Sequence, residues 1–200
     1  MRISAVKHLV PKPQLGNVRK ATSIMRTRHK IIEKNALYFL TFTVVEKIPV
    51  FTNKLYFEMI ISDFQFYRNK YNLKVYFYVL MDNHIHLICS SEVDLRKAIK
   101  SLKSYLAKEI IKVLKNDKRK WILDLLKFYK KSHKNESTYQ IWEEGSYPKQ
   151  ILNDQMLEQK ACYIHLNPVR RGFVRTPQDW RYSSANRDIG NPFKVDILEL

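Results

Sequence analysis

The chain has 200 residues, 45% of them hydrophobic and 12% aromatic, so it can bury a sizeable core and is not a disordered polymer. Its 36 Lys and Arg against 19 Asp and Glu give a net charge of +17, which favours a polyanionic partner such as nucleic acid over a merely well-solvated surface. The two cysteines, Cys89 and Cys162, argue against a disulfide scaffold. No apolar run approaches the roughly 20 residues of a membrane span, so we expect no membrane partner and a cytoplasmic protein, nucleoid-associated when bound to DNA.

Residues 1–35 form a basic segment. Nine Lys or Arg residues lie here with a single acid, and Pro11 and Pro13 interrupt any early helix. We expect a basic arm that lies along a phosphate backbone, or alternatively a solvated tail. One folded domain is predicted over residues 36–187, followed by a C-terminal tail over residues 188–200.

Strand and helix periodicities alternate through the first half of this domain. Residues 37–45 are rich in aromatic and β-branched side chains, which predicts a strand. Apolar residues at helical spacing predict a first helix over residues 53–69, and the run 75–80 predicts a second strand. The pair Asp82-Asn83 then makes a natural two-residue hairpin loop before a third strand.

The third strand carries two histidines, His84 and His86. Because side chains alternate along a strand, both imidazoles and Ile88 lie on one face of the sheet. Two neighbouring imidazoles on a rigid sheet suit two ligands of one metal ion. A His-x-His motif also occurs as an ordinary strand with two incidental histidines, so the motif alone leaves both interpretations open.

A long basic helix is predicted after the hairpin. It should begin near Val93, with Asp94 or the serines before it as the N-cap. An apolar stripe follows the helical period: Leu95, Ile99, Leu102, Leu106, Ile110 and Val113. A loop over residues 115–120 precedes a second helical stretch, 121–128, and 14 basic residues against three acids lie within 96–134. This face is either a DNA-facing rim or an exposed helix face, and both can hold.

The C-terminal third predicts two short strands and one more helix. Residues 139–142 predict a strand, and residues 147–151 an edge strand. Asn153 is a good N-cap for a helix that continues through Asn167. Pro168 should end that helix, because the residue before a proline is pushed out of the α region.

That helix carries a polar face of Gln159, Tyr163 and Asn167, four residues apart. A surface tyrosine followed by a C-terminal Asn is the ordinary interpretation. Together with His84 and His86, however, the pattern is typical of phosphodiester transesterification. In that reaction a tyrosine attacks phosphorus, a cation polarises a phosphate oxygen, and a basic surface holds the strand. Two imidazoles and one amide would supply two nitrogens and one oxygen to the cation and leave positions open for phosphate.

Three further cations flank the proposed site: Lys160, Arg170 and Arg171. They are candidates for phosphate contacts in DNA binding, or else ordinary solvated charges. A phenol keeps its proton at neutral pH, so attack requires proton removal. The sequence does not identify the group that accepts this proton.

Three segments together resemble one protein family: His84-Ile85-His86, residues 163–172 (YIHLNPVRRG) and residues 180–185 (WRYSSA). They are similar to the REP-associated tyrosine transposases, within the single-tyrosine HUH transposases (transposase IS200-like), over about residues 38–185. The resemblance implies an α+β fold, a ferredoxin-like HUH palm whose antiparallel sheet carries helices on one face. It implies cleavage and joining of single-stranded DNA near hairpins through a 5′-phosphotyrosine, with Mg²⁺ or Mn²⁺ as cofactor.

By position, this resemblance makes Tyr163 the nucleophile. It makes His84 and His86 two metal ligands and Asn167 the third, with Gln159 in a supporting place on the same helix face. Single-stranded or hairpin DNA is the implied partner. Whether the protein is a monomer or a homodimer is left undecided.

Two positions depart from the family pattern. Asp82 stands where the family often has proline, and Arg171 replaces a usual small residue, which adds charge near the site. Neither change removes a catalytic group. A domesticated, non-catalytic hairpin-binding protein of the same fold stays open. A zinc hydrolase using His84 and His86 would need a third His, Asp or Glu and a carboxylate base, and ranks last.

Overall fold

A computed structural model describes residues 30–188 and 191–196. The elements are, in order, β1 (Tyr38–Thr43), α1 (Lys54–Tyr71), β2 (Leu73–Leu80), β3 (His84–Ser91), α2 (Leu95–Asn116), α3 (Lys120–Phe128), β4 (Lys149–Gln150) and α4 (Asp154–Arg170). Residues 1–29 of the predicted basic arm lie outside the described residues. Residues 189–190 and 197–200 of the predicted tail also lie outside them. None of the helices described is both long enough and apolar enough to cross a membrane.

The four strands form one antiparallel sheet in the order β2-β3-β1-β4. This α+β arrangement confirms the predicted fold class. The β1–β3 register places Thr41 opposite His86 and Thr43 opposite His84. The predicted β2–β3 hairpin is also confirmed, with the Met81 amide bonded to the His84 carbonyl at 2.9 Å across its loop.

Alternation along the strands divides the apolar side chains between two faces. The larger core lies on one face, where α1, α2 and α3 pack on residues such as Leu40, Phe42 and Leu87. A smaller cluster lies on the other face, under α4: Phe39, Val79, Met81, Ile88 and Ile164. The implied placement of the helices on one face is therefore wrong for α4, which packs opposite α1 and α2.

Three helices begin at side-chain N-caps, of which Asp94 and Asn153 are predicted from the sequence and Asn53 is not. The side chain of Asn53 accepts a hydrogen bond from the Leu55 amide at 3.0 Å. Asp94 caps α2, and Asn153 caps α4 through the Met156 amide at 2.8 Å. Each cap satisfies a backbone donor that the first helical turn leaves unpaired.

The end of α4 differs from the prediction, because Pro168 lies inside the helix instead of ending it. The helix ends in a Schellman motif, with Gly172 N–H bonded to the Val169 carbonyl and Phe173 N–H to the Pro168 carbonyl, both at 2.9 Å. The Arg171 amide also bonds to the Asn167 carbonyl, at 3.1 Å. Together these bonds hold the last turn, although Pro168 has no N–H to donate. Asn167 consequently stays helical.

The strand predicted over residues 139–142 is absent from the described structure. Only Trp142 forms an isolated bridge, to Val44, because the Gln140 amide bonds to the Leu126 carbonyl at 3.1 Å and turns the backbone toward α3. The predicted edge strand is present but has two residues, Lys149 and Gln150.

The predicted apolar stripe of α2 is shifted in the structure, and only some apolar residues of α3 are buried. On α2, Leu114 is fully buried, whereas Val113 is half-buried. On α3, Trp121 and Phe128 are 55% and 78% exposed, while Ile122 and Leu126 fill the core. Helical spacing alone does not reveal which edge of a stripe meets the sheet.

We expect Gly172→Ala to destabilise the fold by about 1 kcal/mol, since its φ of +72° lies in the left-handed region that a Cβ disfavours. No atom lies within 4 Å of a Cβ built there, so the cost comes from the backbone alone. Gly172→Asn should cost less, because Asn tolerates this conformation. Urea unfolding of the three proteins measures the order, and an alanine variant as stable as the parent would contradict the Schellman ending.

Candidate active site

The β2–β3 hairpin places His84 and His86 side by side on the sheet face that α4 covers. The centroids of the two imidazole rings are 4.7 Å apart. His86 also stacks on the ring of Phe39, with centroids 5.4 Å apart and planes inclined by 23°. The contact between the two imidazoles confirms the prediction that both histidines lie on one face of the sheet.

The helix α4 brings Tyr163 against this pair. Its ring centroid lies 5.1 Å from that of His86 in an edge-on contact and 6.0 Å from that of Phe39. One helical position further on, Ile164 is fully buried and anchors α4 on the sheet. Tyr163 itself is 39% exposed, so its phenol is accessible to a substrate from solvent.

Asn167 lies one turn after Tyr163, as its spacing predicts, and is buried. Its side chain interacts with the His84 ring through a hydrogen bond that acts to raise the pKa of His84. The structure therefore brings His84, His86, Asn167 and Tyr163 into one cluster, although they lie some 80 residues apart in sequence.

Each imidazole is oriented by a hydrogen bond to its Nδ1 atom. Thr41 Oγ1 lies 2.8 Å from His86 Nδ1, across the β1–β3 register. Asn83 Oδ1 accepts a hydrogen bond from His84 Nδ1–H at 2.6 Å, while Asn83 Nδ2 donates to the Lys47 carbonyl at 2.8 Å. Because each Nδ1 is held by a neighbour, the Nε2 atoms are the nitrogens that can bind a ligand, and that of His86 has no hydrogen-bond partner among the described residues.

Both histidines are neutral at physiological pH. Burial, with smaller contributions from His84 and Lys160, lowers the pKa of His86 to about 3. The pKa of His84 is lowered mainly by burial, with the Asn167 bond opposing this effect and Arg171 adding to it. A neutral imidazole keeps the lone pair that metal coordination requires.

The cluster opens into a cavity of about 370 Å³ whose lining includes three cations, Lys47, Arg170 and Arg171, and no carboxylate from the part of the chain that the structure describes. The guanidinium of Arg170 lies over the Tyr163 ring, 5.6 Å from its centroid. A positive cavity beside an accessible phenol suits a phosphate group.

The predicted DNA-binding and supporting residues divide into two sets. Arg170 and Arg171 line the cavity. Lys160 does not line it, and its ammonium lies 5.3 Å from the ring centroid of Phe39, the ring that contacts His86 and Tyr163. Gln159 is exposed one turn before Tyr163 and does not line the cavity.

The features that a zinc hydrolase would need do not appear in residues 30–188 and 191–196. No three His, Cys, Asp or Glu side chains cluster there. The third histidine of the segments that resemble the family, His165, faces away from Tyr163 and bonds Ser184 Oγ at 2.9 Å. Neither a third zinc ligand nor a carboxylate base is in place within this part of the chain.

Sequence reasoning missed Thr41, Asn83 and Phe39, which surround the imidazoles. One signal for Thr41 was available, because the threonines of β1 alternate with large apolar residues and so mark a face that differs from the core. Its pairing with His86, in contrast, depends on the strand register, which a single sequence does not reveal.

The two departures from the family pattern contact each other. Arg171 Nη2 lies 3.3 Å from each carboxylate oxygen of Asp82. This ion pair joins the end of α4 to the hairpin loop that precedes His84. The added positive charge of Arg171 is thus partly offset by the aspartate that replaces proline.

We expect the Arg171–Asp82 pair to contribute less than about 1 kcal/mol to stability, since both side chains are partly solvated. A double-mutant cycle of Arg171→Ala and Asp82→Ala, measured by urea unfolding, gives the coupling energy. The coupling should shrink in 1 M salt, where the screening length is about 3 Å. A larger coupling that is independent of salt would show that the pair does more than join two surface charges.

Comparison with known proteins gives concordant results. The family model described as "Transposase IS200 like" matches residues 32–165. A Haemophilus influenzae protein assigned to the REP-associated tyrosine transposases is 26% identical over 160 residues, which cover 78% of this chain and 83% of that protein. The REP-associated tyrosine transposase of Escherichia coli K12 is 33% identical over 49 residues, covering 24% of this chain and 30% of that protein.

A solved structure shares the fold. The structure of a REP-associated tyrosine transposase bound to a REP hairpin matches with a TM-score of 0.58 at 16% sequence identity. The match covers 86% of this chain and 92% of that one. Since the family model also spans more than half of the sequence, this chain belongs to the IS200-like transposase family.

Proposed function

We propose that this protein is a metal-dependent endonuclease and strand transferase for single-stranded DNA that acts at hairpins through a 5′-phosphotyrosine. The observation that carries the proposal is the contact of Tyr163 with His86, 5.1 Å between ring centroids, in a cavity lined by cations. Hairpin DNA as the partner is supported by the structural similarity to a transposase bound to a REP hairpin.

In this mechanism the Tyr163 hydroxyl oxygen attacks the scissile phosphorus. The P–O3′ bond breaks, the 5′-phosphate is transferred to the tyrosine, and the departing strand ends in a 3′-hydroxyl. The phenol proton passes to solvent, which reaches the partly exposed ring, and the 3′ oxygen takes up a proton from solvent. Attack of a 3′-hydroxyl on the phosphotyrosine reverses these bond changes and joins strands.

The cations of the cavity hold the phosphate. Arg170, over the Tyr163 ring, can bind phosphate oxygens while its plane keeps the phenol in position. Lys47 lies across the cavity, beside the loop that Asn83 fixes. Together they concentrate positive charge where the pentavalent transition state becomes more negative.

The residues present fit a divalent metal ion. His86 Nε2 is buried and has no hydrogen-bond partner among the described residues, which is a cost that a bound cation would remove. His84, His86 and the Asn167 amide oxygen would hold Mg²⁺ or Mn²⁺. When bound, such an ion polarises a non-bridging phosphate oxygen.

Replacement of Tyr163 by phenylalanine should abolish the covalent protein–DNA adduct, because it removes only the attacking oxygen. The assay uses a hairpin from the DNA flanking the gene with Mn²⁺. A label at the 3′ end is required, since the adduct keeps the DNA on the 3′ side of the break. Denaturing gel electrophoresis then separates adduct from free DNA.

Tyr129→Phe, at the exposed end of α3, is the matched control and should form adduct at the parental rate. Undiminished adduct in the Tyr163 variant would rule out this nucleophile. A parent protein that binds the hairpin tightly but cleaves it with neither Mg²⁺ nor Mn²⁺ would instead identify a non-catalytic DNA-binding protein.

Thr41→Val should weaken Mn²⁺ binding by about 10- to 100-fold, which is the usual effect of removing a group that hydrogen-bonds a metal-binding histidine. Valine keeps the shape of the side chain but removes the oxygen that fixes His86 Nδ1. Titration of Mn²⁺ followed by electron paramagnetic resonance measures this without any cleavage. The control is Thr43→Val, on the same strand face but bonded to neither imidazole, which should bind Mn²⁺ as the parent does. Equal Mn²⁺ affinities for the parent and both variants would refute the orienting role of Thr41.

A further inference from the structure

A second basic cavity lies on the sheet face away from Tyr163. It has a volume of about 520 Å³ and lies between α2, the segment at residues 30–31 and the loop at residues 146–148. Among the described residues, four cations line it, namely Lys30, Arg96, Lys100 and Lys103, and no carboxylate does. The spacing of the three α2 residues places them on one face of the helix.

Lys103 is a largely enclosed cation in this cavity. Its ammonium contacts Ser146 Oγ at 3.3 Å and faces the rings of Phe42 and Trp142, 5.4 and 6.0 Å from their centroids. Within residues 30–188 and 191–196, no carboxylate lies within 4.0 Å of it. Burial, with Lys134 nearby, lowers the pKa of Lys103 to about 8.

An ammonium group in this environment favours an anion. A buried charge without a counter-ion is costly, and the aromatic rings and one hydroxyl compensate only part of the lost hydration. The group nevertheless stays mainly protonated at neutral pH. An anion in the cavity would supply the missing partner.

Arg96 is held at the wall of the same cavity. Its Nε and Nη2 donate to the Ile31 carbonyl at 3.3 and 2.8 Å. These two bonds fix the guanidinium plane and leave Nη1 available for an anion. Lys100, one turn further along α2, is exposed and forms no ion pair with any described carboxylate.

We propose that this cavity binds a backbone phosphate of the DNA, separate from the phosphate that Tyr163 attacks. The inference rests on the proposed DNA-processing function and adds a second point of attachment. Nucleic acid is favoured over a small phosphate compound because the cavity belongs to the basic face of α2, in a chain of net charge +17. Two attachment points on opposite sheet faces would fix the orientation of the hairpin relative to the tyrosine.

The test measures how DNA affinity depends on salt. The parent for all variants is the full chain with Tyr163→Phe in EDTA, so that neither cleavage nor metal contributes. The probe is a fluorescein-labelled hairpin of arbitrary sequence, because phosphate contacts carry no sequence information. Fluorescence anisotropy gives the affinity between 50 and 200 mM salt.

Lys100→Gln and Lys103→Met should each reduce the slope of log affinity against log salt by about 0.9, the value for one lost phosphate contact. Lys97→Gln, exposed on the same helix and outside the cavity, removes the same charge and should leave the slope unchanged. Lys100 is exposed, so its variant keeps the proposal testable even if the Lys103 variant folds poorly.

A second measurement uses the parent chain alone. The ¹³Cε resonance of Lys103 should titrate at higher pH when the hairpin is present, since a bound phosphate stabilises the ammonium form. Inorganic phosphate at the same phosphate concentration should produce less of this change.

The outcomes separate this proposal from the proposed function. Parental slopes in both cavity variants, with tight hairpin binding retained, would overturn the second site and leave the hairpin proposal intact. A change in the Lys103 titration with inorganic phosphate but not with DNA would identify a free anion as the ligand and also overturn it. Loss of covalent adduct formation bears on Tyr163 alone.

Discussion

The arrangement of the site depends on one buried imidazole. His86 contacts the rings of Phe39 and Tyr163, which also contact each other, and Thr41 holds its Nδ1 from the neighbouring strand. Removal from water keeps this ring neutral, and its Nε2 meets no protein partner in the described structure. An unsatisfied buried nitrogen costs about 1–3 kcal/mol. That cost falls where α4 meets the sheet, which supports the metal site proposed there.

The rest of the fold compensates for the free-energy cost of this unsatisfied nitrogen. The large core on the opposite face, with α1 and α2, supplies most of the buried apolar contact, whereas α4 buries only Ile164, Asn167 and Pro168. Polar side chains can therefore occupy the α4 face without weakening the main core. The C-terminal segment closes the free edge of β2, where Trp180 Nε1–H donates to the Leu80 carbonyl and the Leu80 amide donates to the Tyr182 carbonyl, both at 2.9 Å. The main hydrophobic core and the candidate active site therefore lie on opposite faces of the sheet.

Local periodicity predicts much of this structure, and long-range pairing accounts for the rest. The period of two placed His84 beside His86, and the period of four placed Tyr163 above Asn167, because both rules concern residues close in sequence. The contact of Thr41 with His86 depends on strand register, and that of Arg171 with Asp82 joins residues 89 positions apart. Pro168 was misjudged for a related reason: the hydrogen bonds that continue the helix past it come from Gly172 and Phe173, whose conformation a rule about proline alone does not include.

Electrostatics links the two ligands of the proposed function. A dication held by His84, His86 and Asn167 would lie near Arg170 and Arg171, and no carboxylate among the described residues lines the cavity to compensate these charges. Asp82 offsets Arg171 only in part, at 3.3 Å on the outer side. A phosphodiester brings negative charge to both the cations and the metal position. Under the proposed function, metal and DNA therefore strengthen each other's binding by the same factor, because coupling free energies are reciprocal. Under this proposal Asn167 contributes a neutral amide, whereas a carboxylate in its place would bind the metal without help from the substrate. Full assembly of the site would therefore depend on the substrate.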